Sequence, residues 1–366
     1  MEPPAEKVNI NTIAKTAKVS TTTVSNFING TEVFPISAET RGRIRAAMRK
    51  LNYRPHIGGV LIRRQATRPG KVGFVMGEDC TQPVLFSAGI PLVQRFLLEL
   101  EQVLFQKLGM SLEILRVGDE DSRTDWNERL LGLDCLINFG QINALMCDTL
   151  SRRNLPMIEV SSTERFRRHG DFSGVEDEFD LLYWRNDRQI EMAFEHFYAK
   201  GARRFLYMSS FNVRSQRPEF YGYDAQAKLD GFLRALAAHP DCTGTVLTPP
   251  MSGDFNMFRE FAQVRELLAS RPGALDDVEA VICHNDIVAH GVASCALERG
   301  RIPGRNLLLS GEGNFRELQY WYPVITTSSV DYPALTRRIC ELIRLRAEGS
   351  TDAFRREEIP TLLVNP

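Results

Sequence analysis

The 366-residue chain lacks the features that mark membrane, exported and disulfide-linked proteins. It has no long hydrophobic run, because the richest apolar stretch, residues 96–108, is interrupted by two glutamates and two glutamines. Its first nine residues contain no apolar core of a signal peptide. The seven cysteines form no C-x-x-C pair, which argues against a disulfide framework or a zinc site. We therefore expect a cytoplasmic protein with reduced thiols and no membrane partner.

Signatures of the common enzyme classes are missing as well. The chain contains no P-loop, no G-x-S-x-G and no G-x-G-x-x-G in the context that those motifs require. We therefore predict no catalytic residue, no metal ion and no cofactor. The segment HNDIVAH brings His284, Asp286 and His290 close in sequence. We interpret it as a strand end followed by a helix surface, although a metal site is the alternative.

A net charge of only −1 conceals two regions of opposite charge. Residues 1–71 contain 13 basic and 4 acidic side chains, a net charge of +9. Residues 72–366 contain 32 basic and 42 acidic side chains, a net charge of −10. A basic module joined to a neutral or acidic one is typical of a protein that binds a polyanion, most commonly DNA.

Residues 9–29, NINTIAKTAKVSTTTVSNFIN, have the pattern of two short helices joined by a turn. Asn9 and Ser20 are good helix N-caps, and the apolar residues that follow each of them recur at helical spacing. A third helix, capped by Ser37, carries five cations on its polar face. This arrangement predicts a helix–turn–helix whose second helix can enter the major groove of DNA.

Three consecutive threonines lie at the start of the second predicted helix. Thr21 and Thr22 are expected to point outward in its first turn, where residues of a recognition helix reach base edges. A threonine hydroxyl can contact either type of base and its methyl can contact thymine, while Asn26 on the same face can pair with adenine. The alternative is that these hydroxyl groups only cap and solvate the helix end.

The segments TIAKTAKVSTTTVSNFING and SAETRGRIRAAMRKLNYRP resemble the DNA-binding headpiece of the LacI/GalR (lac-repressor) family of bacterial transcription regulators. The resemblance assigns residues 1–57 to this helix–turn–helix headpiece. It implies that Thr21, Thr22 and Asn26 read bases. Lys18 stands in the turn where many members have glycine or asparagine, so we expect some backbone strain there. The headpiece positions predicted to contact DNA are Ser20, Thr21, Thr22, Thr23, Asn26 and Asn29, with Thr23 at a position that touches a phosphate or packs.

Residues 58–70 correspond to the hinge of that family. The resemblance implies a short helix that folds only on operator DNA and wedges an apolar side chain into the minor groove. Leu61 or Ile62 is the predicted wedge, and Arg63 and Arg64 are predicted phosphate contacts. Two adjacent glycines in HIGGVLIRR weaken the helix by about 1 kcal/mol each relative to alanine. The alternative is a flexible linker that does not intercalate.

From Lys71 onward, short apolar strands alternate with amphipathic helices in two successive sets. This alternation predicts an α/β core with parallel sheets in two lobes. The resemblance implies a core like that of periplasmic binding proteins of type I, with a small-molecule cleft between the lobes at the carboxyl ends of the strands. The predicted bounds are 71–187 and 320–345 for lobe 1, and 188–319 and 346–366 for lobe 2.

The positions that line the cleft in this family depart from the usual pattern in two places. Phe86, Asn285 and Asp286 fall on an aromatic position, a strand end and an acidic position that are common in the family. Lys228 replaces an arginine that clamps the ligand, and Gly313 replaces an aspartate and follows Glu312. We predict either an unusual small-molecule effector, a sugar or another metabolite, or a cleft that binds nothing.

Together these features predict a sequence-specific transcription regulator, most simply a repressor. A homodimer would read two half-sites of a near-palindromic double-stranded operator, and an effector in the cleft would change operator affinity. No heptad repeat follows IPTLLVNP, so we expect no additional tetramer-forming helix. The alternatives are the same regulator with a degenerate cleft, and a cytosolic solute-binding sensor without a role on DNA.

Overall fold

The structure, a computed structural model, combines a three-helix N-terminal domain with two six-stranded sheets. None of the helices among the described residues is long and apolar enough to cross a bilayer. The residues that the structure describes are 8–29, 36–51, 53, 70–76, 91–116, 126, 128–139, 149–150, 152–162, 179–209, 223–249, 257–315, 325–347, 350 and 352–365.

The N-terminal domain, called the headpiece below, contains the three predicted helices. They are α1 (Ile10–Ala17), α2 (Thr21–Asn29) and α3 (Ala38–Lys50). Their apolar faces meet in one small core, in which small alanines on α1 and α3 allow the helices to approach closely. The fully buried or nearly buried residues of this core are Ile13, Ala14, Ala17, Val24, Phe27, Ile44, Ala47 and Met48.

All three headpiece helices begin with the same capping arrangement. The cap residues are Asn9, Ser20 and Ser37, and in each case a threonine follows three positions later. Thr23 donates its backbone N–H to the Ser20 hydroxyl at 3.0 Å, and the two hydroxyl groups lie 2.7 Å apart. The first four N–H groups of a helix have no partner within the helix. The repeated pattern therefore provides acceptors for backbone N–H groups that would otherwise lack a hydrogen-bond partner.

The turn between α1 and α2 has the strain that the sequence indicates. Lys18 adopts a left-handed conformation with φ 55° and ψ 49°, and its N–H reaches back to the last turn of α1. Glycine or asparagine adopts this conformation at lower cost than lysine. The long side chain is exposed and so meets no steric obstacle.

Lobe 1 contains the first set of alternating strands and helices. Its elements are β1 (Lys71–Met76), α4 (Pro91–Leu108), β2 (Ser111–Arg116), β3 (Cys135–Phe139), β4 (Met157–Ser161) and β5 (Asp180–Tyr183). Helix α4 has the bounds that its apolar periodicity predicts. It buries Phe96, Leu100 and Leu104 against the sheet, because these residues recur on one helical face.

Lobe 2 contains the second set and begins directly after β5. Its elements are α5 (Asn186–Ala199), β6 (Arg204–Met208), α6 (Tyr223–Ala238), β7 (Thr243–Leu247), α7 (Met257–Ala269), a 3₁₀ turn (Pro272–Leu275), β8 (Ala280–Cys283), α8 (Asp286–Glu298), β9 (Leu308–Glu312) and β10 (Thr326–Val330). Helix α8 is apolar on nearly all sides and is buried over most of its length, as expected for a helix covered by neighbouring elements.

The last part of the chain crosses between the lobes again. Helix α9 (Tyr332–Ala347) packs in the core of lobe 1, β11 (Arg356–Glu358) joins its sheet, and β12 (Thr361–Val364) returns to lobe 2. The sheet of lobe 1 has the order β11-β5-β4-β3-β1-β2 and is wholly parallel. The sheet of lobe 2 has the order β12-β10-β9-β8-β6-β7, and only β12 is antiparallel.

These crossings correct the predicted bounds of the lobes. The return to lobe 1 comes at α9, after residue 331, whereas the sequence predicted residue 320. Strand β10 belongs to lobe 2 and β11 to lobe 1, although the sequence assigned residues 320–345 to lobe 1 and 346–366 to lobe 2. The difference arises because these short strands are defined by pairing partners far away in sequence.

A buried ion pair attaches the returning segment to lobe 1. Arg346 on α9 donates two hydrogen bonds to the Asp180 carboxylate, at 2.8 and 2.7 Å, and both side chains are buried. The backbone N–H of Arg355 donates to the same carboxylate at 2.9 Å. The bidentate geometry satisfies both charged groups, so α9 and the approach to β11 are held against the start of β5.

Candidate DNA-binding surface and effector site

The threonine side chains in the first turn of α2 differ in exposure and in hydrogen bonding. Thr21 and Thr22 are exposed, whereas the Thr23 side chain is half-buried and engaged with Ser20. Val24 and Phe27 turn inward and are fully buried, which fixes the rotation of the helix. Thr21 and Thr22 are therefore the threonines of this run whose side chains face outward from a rigidly held helix end.

The structure describes only some of the other predicted site residues. Asn26 lies one turn after Thr22 and is half-buried. Asn29 is the last residue of α2. The predicted hinge residues Leu61, Ile62, Arg63 and Arg64, and the predicted cleft residue Phe86, lie outside the described residues.

The predicted cleft residue Lys228 forms an ion pair with Glu312, the residue before Gly313. Lys228 on α6 donates to Glu312 Oε2 and to the backbone oxygen of His284, both at 3.0 Å. The Lys228 side chain is 6% exposed and that of Glu312 is 16% exposed. Glu312 is the last residue of β9 and directly precedes Gly313, so an acidic side chain stands one position before the predicted cleft residue Gly313.

Gly313 has a structural role in the backbone and offers no polar side chain to a ligand. Its φ of 119° lies in a region that side chains rarely adopt, and its N–H donates to the Ser328 oxygen at 2.8 Å. A neighbouring glycine, Gly311, lies so close to α8 that an added Cβ would collide with Asp286. Gly311 therefore permits β9 to pass close to the start of α8.

The predicted cleft residue Asp286 is engaged entirely within lobe 2. Its carboxylate accepts hydrogen bonds from the Phe315 backbone N–H at 2.8 Å and from the Thr327 hydroxyl at 2.7 Å. Burial raises the pKa of Asp286 to about 7, although these two hydrogen bonds oppose the shift. This carboxylate therefore ties the start of α8 to the segments after β9 and within β10.

Asn285 caps the helix that begins with Asp286. Its side-chain oxygen accepts the Val288 N–H at 2.9 Å, and its amide nitrogen donates to the Glu260 carboxylate at 3.1 Å. Burial and the nearby Lys228 cation hold the pKa of His284 well below its ordinary value. Within the part of the chain that the structure describes, no group of three or more His, Cys, Asp or Glu side chains could hold a metal ion.

Sequence reasoning missed two participants in these sites. Glu312 was noted beside Gly313 but was not assigned to the site, although its acidic side chain at a strand end was the available signal. Thr327, which binds Asp286, lies in a segment whose strand character the sequence did not show. Its partner is 41 residues away, so no local pattern identifies the pair.

The headpiece and the core each match a family of known proteins. The family described as bacterial regulatory proteins, lacI family, matches residues 9–56, and the periplasmic binding protein-like domain matches residues 194–365. A transcriptional repressor PurR of Erwinia tasmaniensis is 25% identical over 329 residues, covering 87% of this chain and 84% of the relative.

Solved structures show the same fold over almost the whole chain. The transcriptional regulator CelR in complex with cellobiose has a TM-score of 0.58 at 20% identity. The lac repressor dimer bound to operator and the anti-inducer ONPF has a TM-score of 0.58 at 19% identity. In both cases 98% of this chain and 98% of the solved chain are covered.

Replacing Asp286 by asparagine is expected to change how stability depends on pH. The folded-state pKa of about 7 lies above the ordinary value of 3.8, so this carboxyl contributes stability at low pH that is lost as pH rises towards 7. Asp286→Asn should therefore gain stability relative to the unchanged protein between pH 4 and pH 7. Denaturant unfolding at several pH values measures the difference, and a difference that stays constant over this range would contradict the assignment.

Proposed function

The chain belongs to the LacI family of bacterial regulatory proteins, and we propose that it is a sequence-specific repressor of transcription that acts in the bacterial cytoplasm. The exposed, capped first turn of α2, in the basic part of the chain, carries this proposal. Its relatives are transcriptional repressors rather than enzymes. A solute-binding sensor without a role on DNA would have no use for this headpiece.

We propose that Thr21, Thr22 and Asn26 read base edges in the major groove. The first turn of a recognition helix reaches the bases, and its amino end also favours the negatively charged backbone of DNA. Ser20 and Thr23 hold this turn in shape through their own hydrogen bond. Other cations of the headpiece would contact phosphates, which supply affinity but no sequence information.

Changing Thr22 to alanine should separate specific from general DNA binding. Each good base contact discriminates by about 1–3 kcal/mol, so operator affinity should fall roughly tenfold or more while affinity for unrelated DNA stays nearly constant. Thr23→Ala is the matched control, because it removes the hydroxyl that pairs with the capping residue Ser20 and should lower headpiece stability instead. Gel shifts at two salt concentrations measure both affinities. Equal losses on specific and unrelated DNA for Thr22→Ala would refute base reading.

We propose that the outer face of α4 and the edge strand β2 form the dimer interface. Leu98 is 71% exposed and Phe105 is 67% exposed, and these residues lie seven positions apart on one helical face. Ile114 on the adjacent edge strand is also exposed. Large apolar side chains grouped in this way mark an interaction surface. A second copy of the chain on this surface would present two headpieces to two half-sites.

A charge on this surface should prevent dimerisation. Phe105→Glu is expected to convert the dimer to a monomer at micromolar concentration, and operator affinity should fall because only one half-site is bound at a time. Gln106→Glu adds the same charge at a neighbouring exposed position and should leave the dimer intact. Sedimentation velocity reports the mass of each variant. A dimeric Phe105→Glu protein would place the interface elsewhere.

We propose that the hinge, residues 58–70, places Leu61 or Ile62 in the minor groove and Arg63 and Arg64 on the phosphates when operator is bound. The adjacent glycines make this segment dependent on DNA and on the second subunit for its order. A change in the arrangement of the lobes could then alter operator affinity by changing how often the hinge folds.

We propose that an uncharged, hydroxyl-rich effector binds near the ion pair of lobe 2. Lys228 and Glu312 neutralise each other, so a ligand would meet the Lys228 ammonium as a donor and the Glu312 carboxylate as an acceptor. Because the Lys228 charge is already paired, it attracts the carboxylate of a ligand less strongly. An unusual pocket of this kind suits a sugar better than a sugar acid. The alternative is a degenerate cleft without effector, which is favoured by the internal hydrogen bonds of Asp286.

A thermal-shift screen distinguishes an effector site from a degenerate cleft. A ligand that binds the folded state at 100 times its dissociation constant stabilises it by about 2.7 kcal/mol, so a neutral sugar should raise the melting temperature by several degrees. The double variant Lys228→Gln with Glu312→Gln removes both charges together and should lose that response. If neutral sugars, sugar acids and purines all leave the melting temperature unchanged, the degenerate cleft is supported.

A further inference from the structure

Residues 152–154, which precede β4, contact the headpiece. Asn154 donates its side-chain amide to the backbone oxygens of Met48 at 3.4 Å and Tyr53 at 3.3 Å. The Arg152 guanidinium donates to the backbone oxygen of Phe27 and lies 5.1 Å from the centre of the Phe27 ring. These residues come from lobe 1, more than one hundred positions away from their headpiece partners.

Two of the three acceptors are carbonyl groups in the last turn of a helix, and the third, that of Tyr53, follows α3. The Met48 oxygen also accepts the Tyr53 backbone N–H at 2.9 Å. Phe27 lies in the last turn of α2 and Met48 in the last turn of α3. The final carbonyl groups of a helix lack partners within the helix and carry its partial negative charge. Helix α2 has no basic residue in its own last turn, and two other cations reach its Phe27: Arg152 of lobe 1 donates to the carbonyl, and Arg45 of α3 lies 5.9 Å from the ring centre.

The backbone of lobe 1 is shaped to present these donors. Asn154 has a left-handed φ of 51°, a conformation that asparagine tolerates better than most residues. It follows the helical residues Arg152 and Arg153, and the Leu155 N–H closes the turn on the Leu150 oxygen at 3.3 Å. Arg152 is 4% exposed, so its guanidinium is covered on all sides. A buried arginine is strongly destabilising unless it is held by acceptors and aromatic faces such as these.

A second contact lies at the carboxyl end of α3. Phe354, which follows α9, has Arg49 of the headpiece 6.0 Å from its ring centre and Arg346 of lobe 1 at 4.7 Å. The same ring therefore meets cations from both domains. This arrangement extends the contact from α2 across α3 to the returning segment of lobe 1.

The contacts leave the amino end of α2 exposed. They hold the carboxyl end of the helix, while Thr21 and Thr22 at its amino end are exposed. Asn154 also lies just before β4, at the amino edge of the lobe 1 sheet, opposite the edge where the strands end. The headpiece is therefore held at the amino edge of the lobe 1 sheet, whereas the predicted cleft lies at the opposite, carboxyl edge.

We propose that Arg152 and Asn154 form a latch that holds the headpiece on lobe 1 and sets the direction of α2. This inference rests on the proposed function, because orienting α2 matters only if α2 reads DNA. With the latch closed, a rotation of lobe 1 moves the reading helix directly. The hinge at residues 58–70 is then a second connection between core and headpiece and carries only part of the coupling.

The latch can be tested without DNA by measuring how the headpiece tumbles in the full-length protein. Backbone ¹⁵N relaxation should give headpiece and core amides the same rotational correlation time. In the double variant Arg152→Ala with Asn154→Gly, headpiece amides should tumble severalfold faster while the core keeps its melting temperature. Glycine preserves the left-handed turn at position 154. Arg337→Ala, which removes an exposed arginine of lobe 1, is the control and should change nothing.

Operator binding tests the orienting role. The double variant should bind operator on the order of tenfold more weakly, the size expected for the loss of two hydrogen-bonded contacts, with unrelated DNA bound as before. Independent tumbling of the unchanged headpiece, or unchanged tumbling in the double variant, would overturn the latch. Faster tumbling with unaltered or tighter operator binding would overturn its orienting role. If the unchanged protein binds no operator, the proposed function fails while the relaxation result still decides the latch.

Discussion

The requirement that helix ends find hydrogen-bond partners organises this molecule. Ser20 and its threonine partner satisfy the amino end of α2, which fixes the first turn and leaves Thr21 and Thr22 available to DNA. Asn285 does the same for α8 and so positions Asp286 beneath β9. The carboxyl end of α3 is closed by the backbone N–H groups of Leu51 and Tyr53, and the carboxyl ends of α2 and α3 also receive side-chain donors from lobe 1. Function is therefore placed at helix ends because those ends hold unsatisfied groups at fixed positions.

Charged side chains are arranged differently in the headpiece and in lobe 2. In the described part of the headpiece, Lys15, Lys18, Arg43 and Lys50 are exposed, which suits a phosphate backbone, whereas lobe 2 pairs Lys228 with Glu312 internally. Breaking a buried pair leaves an uncompensated charge and costs about 3–5 kcal/mol. Replacing either Lys228 or Glu312 alone would therefore leave the charge of its partner uncompensated. An effector at this site would have to insert between groups that already satisfy each other, or use them as one donor and one acceptor.

The sequence predicted the parts of the fold that depend on local patterns. The three headpiece helices, α4 and the alternation of strands and helices follow from caps and apolar spacing, and the structure contains them. Strands β5, β10, β11 and β12 were not predicted, since each has only three to five residues and is defined by its pairing with other strands. Thr23 was expected to touch a phosphate or pack, and it is engaged in the cap of α2. The latch and the Lys228–Glu312 pair join residues 84 or more positions apart, which no single-sequence pattern reveals.

Selection of binding sites from a random pool of double-stranded DNA tests the central claim most directly. The full-length protein is incubated with the pool at moderate salt, and bound DNA is amplified and sequenced over several rounds. The account predicts enrichment of an inverted repeat whose two half-sites are related by the two-fold symmetry of a dimer, with the same bases selected in each half. Recovery of DNA without a shared sequence, or of a single unrepeated site, would contradict the view that two α2 helices read an operator.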